Sequence, residues 1–161
     1  DKNNSFYIGG AFHHLNRANQ SFVDDEDVSI YSRYTVHAGG DFLVNAKFGL
    51  VPSILAMKQG PSLEITPGTS LKFPLASSKG EYQAFQIGLW ARIANSYKSS
   101  LLADAVILST RFDYNSFSLG FSYDINISPL VDVSNGNGGF ELALVYKICG
   151  QERRNVYCPR F

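Results

Sequence analysis

The chain has 161 residues, about one domain's worth, of which 45% are hydrophobic and only 17% charged; such a composition can bury ample apolar surface, which excludes a disordered chain. Lys+Arg and Asp+Glu balance at 14 each, so composition makes no case for a nucleic-acid partner, and zero net charge is a solubility liability in a free protein. No run of about 18 apolar residues provides a transmembrane helix, and the opening DKNNSF has neither an initiator Met nor a signal peptide, as expected of a mature protein, an excised piece or part of a longer one.

In chain order, 5–15, 31–43, 49–58 and 62–74 alternate weakly between apolar and polar residues, and four later stretches alternate cleanly. From Gln83 to Ile93, Phe85, Ile87, Leu89, Ala91 and Ile93 oppose Ala84, Gln86, Gly88, Trp90 and Arg92. From Ala105 to Tyr114, Val106, Leu108, Thr110, Phe112 and Tyr114 oppose Ala105, Ile107, Ser109, Arg111 and Asp113. Between Ser116 and Asn126 the apolar set is Phe117, Leu119, Phe121, Tyr123 and Ile125, and between Phe140 and Ile148 it is Phe140, Leu142, Leu144, Tyr146 and Ile148, opposite Glu141, Ala143, Val145 and Lys147. Nothing repeats at 3.6 residues. The chain is expected to be all-β, with about eight strands.

These strands run to about ten residues, where globular strands average about five or six, and ten tilted residues are about what a bilayer crossing needs. Links of different length alternate: 43–48, 75–81 and the turn at Tyr114-Asn115 fall at one end, and 16–29, 95–103 and 127–138 at the other. That is the rhythm of an antiparallel transmembrane β-barrel, with short periplasmic turns and long outer loops; the short link at Gly60-Pro61 breaks it. The less apolar face is made of Ser, Gly, Ala, Gln and Asn with scattered Arg111, Asp113, Asp124, Glu141 and Lys147. It lacks the Lys/Glu coat of a soluble sheet and suits a crowded, wet lumen. The alternatives are a self-contained eight-stranded structural membrane barrel and a soluble lipocalin-like carrier whose apolar cavity is lined by Phe117, Leu119, Phe121, Leu142 and Leu144.

Tyr7, Tyr114, Phe121, Tyr123, Phe140 and Tyr146 lie near strand ends, where an interfacial girdle would place them; as aromatics they would equally suit an ordinary sheet. His13 and His14 are adjacent, so a regular strand would point them to opposite faces and they could not chelate together. Asp24, Asp25, Glu26 and Asp27 lack the spaced ligands and glycine of a calcium loop and read as a solvated outer loop. Asn135 to Gly139 precedes a strand without the Lys-Ser/Thr of a phosphate loop. No G-x-S-x-G or local Ser/His/Asp or Cys/His set appears, so neither an enzyme nor a cofactor is expected. Cys149 and Cys158 have no second pair or nearby His for zinc; two thiols and a small disulfide fit the spacing equally.

LGFSYDINIS (Leu119 to Ser128), the Gly-Gly-Phe-Glu of Gly138 to Glu141, and the closing Cys158-Pro159-Arg160-Phe161 make residues 104–161 resemble the C-terminal end of the PorP/SprF family. FYIGGAFHHLNRANQSF (Phe6 to Phe22) fits the middle of such a protein. The resemblance implies a non-enzymatic outer-membrane barrel of type IX secretion and gliding motility, about twice this length, whose partners are secretion components or a secreted surface adhesin. On this reading residues 1–148 are a barrel segment embedded in outer-membrane lipid, and 149–161 a periplasmic tail. The candidate partner contacts are Asp24, Asp25, Glu26, Asp27, Asn135 and Asn137 in the loops, and Arg153 and Arg154 in the tail.

Overall fold

A computed structural model describes residues 4–22, 28–78, 81–95, 101–129, 131 and 135–148. Eight strands follow one another: β1 (Asn4–His13), β2 (Arg33–Asn45), β3 (Phe48–Gln59), β4 (Ser62–Ser78), β5 (Glu81–Asn95), β6 (Leu101–Tyr114), β7 (Phe117–Asn126) and β8 (Asn137–Tyr146). They form one antiparallel sheet in sequence order, β1 to β8. Among the described residues no pairing joins β8 back to β1, so the sheet is open along both edges.

The links alternate as the sequence reading expects, more sharply than its boundaries suggest. At one end, β2–β3, β4–β5 and β6–β7 are each joined by two residues. At the other, the links are 14–32, 60–61, 96–100 and 127–136. The short turns are chemically specified. Asn45 Oδ1 accepts from the amides of Lys47 and Phe48 at 2.8 and 3.0 Å. Asn115 takes the left-handed conformation (φ 50°), which asparagine tolerates, and its Oδ1 accepts from the Tyr82 amide at 2.8 Å. At the long-loop end Gly60 supplies the positive φ (55°) that closes the β3–β4 hairpin.

Register carries each strand's alternation across the sheet. Ile54 opposes Pro67, Leu71 opposes Ile87, Ile87 opposes Thr110, Thr110 opposes Phe121, and Phe121 opposes Leu142. One face therefore gathers the large apolar residues, and they are exposed: Leu89 is 55% accessible, Leu142 62% and Phe6 82%. The other face is polar, yet it holds the inaccessible positions Ser70, Gln86, Asp113 and Ser118. Only Ala84 and Ala105 are buried apolar residues among those described. A soluble domain sorts its residues the other way. The lipocalin-like alternative fails on this point, since Phe117, Leu119, Phe121, Leu142 and Leu144 share the outer face instead of enclosing an apolar cavity.

The sheet curls around its polar face. One concavity of about 750 Å³ is bordered from every strand, from Tyr7 on β1 to Glu141 and Ala143 on β8. Of the five residues proposed for a lipocalin cavity, only Phe121 and Leu142 also touch it, beside the free edge of β8.

Three prolines lie inside strands, and each sits at a fault in a ladder. Between β2 and β3 the pairing passes from Gly39↔Ser53 to Phe42↔Leu50, skipping Pro52. Between β4 and β5 it passes from Ile65↔Ile93 to Gly68↔Trp90, skipping Pro67, and the register shifts at Pro74/Ala76. A proline has no N–H to give, so each fault opens on the side its nitrogen faces.

Candidate functional site: the polar lumen and its outer rim

Three belts of polar side chains cross the concave face. Nearest the short turns, Asp113 is held from three sides. Its Oδ1 accepts from Arg111 Nε at 2.8 Å and from Ser118 Oγ at 2.5 Å, and its Oδ2 accepts from Gln86 Nε2 at 3.0 Å. The belt continues into Lys72, which is ion-paired with Asp41 and lies 5.6 Å from the centre of the Tyr82 ring. A buried carboxylate is tolerable only when its charge and lone pairs are met in this way.

In the middle belt Trp90 Nε1 donates to Ser109 Oγ at 2.9 Å. The indole lies flat on the wall because Gly68 has no side chain beneath it: a Cβ there would stand 2.3 Å from the ring. Gly39 makes the same room for Tyr7, whose hydroxyl would lie 2.6 Å from a Cβ at that position. Two large rings thus lie along the wall.

The third belt supports the long loops. Arg92 on β5 donates through Nε to Asp104 at 2.8 Å and through Nη1 to Asp124 at 2.6 Å, joining β5, β6 and β7. The Asp104 carbonyl in turn accepts from the amides of Ile127 and Ser128, at 3.0 and 3.1 Å, where the β7–β8 link begins. The two described ends of the β1–β2 link pair with each other. Asn19 bridges Ser29, Gln20 N donates to Val28 O at 2.9 Å, and Ile30 N donates to Ala18 O at 3.1 Å. Tyr31 then lies over Gly60 at the β3–β4 turn, and its carbonyl accepts from Gln59 Nε2 at 3.1 Å.

The residues expected from sequence as partner contacts fall unevenly on this frame. Asn135 sits in the β7–β8 link with φ 51°, and Asn137 opens β8 opposite Ile125. Asp24, Asp25, Glu26 and Asp27 lie outside the described residues, as do Arg153, Arg154, Cys149 and Cys158. His13 ends β1 and His14 turns out of it (φ 58°), their rings 6.5 Å apart. Of the girdle aromatics, Tyr114, Phe121, Tyr123, Phe140 and Tyr146 are exposed on the outer face. Tyr7 is the exception: it faces inward and borders the lumen. Its neighbours Phe6 and Ile8 are as apolar as it is, so alternation on β1 gave no clue to which side was which.

An apolar outer skin, a polar ion-paired interior and loops lengthened at one end describe a membrane barrel wall. The family model for the type IX secretion system membrane protein PorP/SprF matches residues 2–146, which contain all eight strands. The chain belongs to the PorP/SprF family. No curated protein and no solved structure matches it. PorP/SprF membership makes this chain a membrane component of type IX secretion and its sheet part of an antiparallel transmembrane β-barrel. The three belts are then the lumenal lining of a PorP/SprF protein.

Proposed function

We propose that this PorP/SprF chain is a non-enzymatic component of the outer membrane that holds a secreted surface adhesin, or another part of the secretion apparatus, by its outer loops. The carrying observation is that the two long loops, 14–32 and 127–136, leave the same end of the sheet. Their bases are braced, the first by the Asn19–Ser29 pairing and the second by the Asp104 carbonyl. Braced loops present a contact surface at low entropic cost, which is how loops on rigid scaffolds bind. In this reading the acidic run Asp24–Asp27 and Asn135 are outer contacts, and the tail 149–161, with Arg153 and Arg154, is a periplasmic one. The eight strands form part of a larger barrel, because hydrocarbon cannot satisfy the free backbone edges of β1 and β8.

The test replaces Asp24, Asp25, Glu26 and Asp27 with serine, and residues 131–137 with a Gly/Ser link, in the intact protein. Secreted protein is then cross-linked in cells and captured through a tag on the barrel. Loss of the captured protein, with the barrel still inserted, is expected. Unchanged capture with both loops replaced overturns the loop assignment.

A further inference from the structure

We propose that the concave cavity beside Trp90 binds a neutral oligosaccharide. The indole is pinned at its edge by the bond from Nε1 to Ser109 Oγ and lies against the β4 wall over Gly68. Trp90 also borders the concavity of the sheet. Hydroxyl-bearing side chains surround it: Ser53, Thr66 and Ser70 border the same space, with Ser109 beside the ring. A flat aromatic face ringed by hydroxyls matches a pyranose, which offers C–H bonds on one face and hydroxyls at its rim.

The charges in the wall argue for a neutral ligand. Asp41 is paired with Lys72, and Arg111 with Asp113. An anionic ligand would have to draw Lys72 or Arg111 from its carboxylate, whereas a sugar hydroxyl can bond beside the intact pairs. Glu141, on β8, adds a carboxylate at the cavity edge that can accept from sugar hydroxyls. A peptide is a poorer match. Strand-like capture draws on free main-chain groups; beside the ring the β5–β6 ladder is unbroken from Gln83 to Arg92, and the free edges, β1 and β8, stand four and three strands away from β5.

Trp90 is the one tryptophan in these 161 residues, and the part of the emission change that disappears in Trp90→Leu reports on the site. The intact protein, in a detergent without a sugar headgroup, is titrated with cellotriose and maltotriose, and separately with a Gly/Ser hexapeptide. A saturable change in tryptophan emission with at least one sugar is expected. Calorimetry should show the affinity falling about tenfold or more in Trp90→Leu, the stacking contact being lost. Gly68→Val, which lifts the ring off the wall, should weaken binding in the same direction while the barrel's heat-modified gel mobility is retained. No saturable response to either sugar, equal affinity in Trp90→Leu, or a response to the peptide alone overturns the proposal.

Discussion

Asp113 and Leu89 show at the residue scale how the sheet inverts the usual burial rule. Asp113 is 4% exposed and has both carboxylate oxygens occupied, whereas Leu89, near the middle of β5, is 55% exposed. Gln86→Leu would leave Asp113 Oδ2 without its donor, and such a loss costs about 1–3 kcal/mol. Denaturant unfolding of the micelle-bound protein should show that drop, and an unchanged midpoint would mean that water replaces the glutamine freely. On the outer face, Leu89→Arg and Leu142→Arg should each destabilise the inserted barrel by about 2–4 kcal/mol if they lie near the bilayer midplane. Val145→Arg, on the inward face of the same strand as Leu142, should cost clearly less. Equal losses at Leu142 and Val145 would reverse the facing assigned to β8.

Strands β5 to β8 were legible because within each the alternation is almost unbroken, with large apolar residues at most of the outward positions, Ala91 and Thr110 apart. Strands β3 and β4 read weakly for a physical reason. Pro52, Pro67 and Pro74 break the ladders at three points, and proline inside a run argues against a central strand. The sheet tolerates them because each fault opens on one side only: Pro52 still opposes Thr69, and Pro67 still opposes Ile54. The same weakness hid the true end of β4 at Ser78, beyond the bulge at Pro74/Ala76. Arg111 and Asp113 were legible as inward residues from parity alone. The Arg92–Asp104–Asp124 cluster was not, because its members lie 12 and 32 residues from Arg92 and meet only through register. Native-state hydrogen exchange tests the faults directly. Each of Pro52 and Pro67 takes the ladder donor from the carbonyl opposite it, on Gly40 or Ala91. The amides of Gly40 and Ala91, beside the gap, should therefore exchange before those of Ser109 to Arg111, where the pairing with β5 and β7 is unbroken. Uniform protection would mean that the proline faults do not loosen the sheet.

Across the whole molecule, sidedness decides the account. Most strands deliver their large apolar residues outward, and the ion pairs lie on the inner face, where Lys72, Arg92 and Arg111 each meet a carboxylate; β3 is the exception, with Val51 inward and Lys58 on the face of Ile54. Links of two residues at one end, and at the other the long links 14–32 and 127–136 beside the short 60–61, give the wall two unlike ends. The edges of β1 and β8 are open in the described sheet, and in lipid such edges require strand partners. The most direct test is to fractionate cells expressing the intact gene product and to run the extracted protein on gels before and after heating. The account predicts recovery with the outer membrane, extraction only by detergent, and a mobility that shifts on heating as a folded barrel opens. A freely soluble, monodisperse protein with no such shift would contradict it.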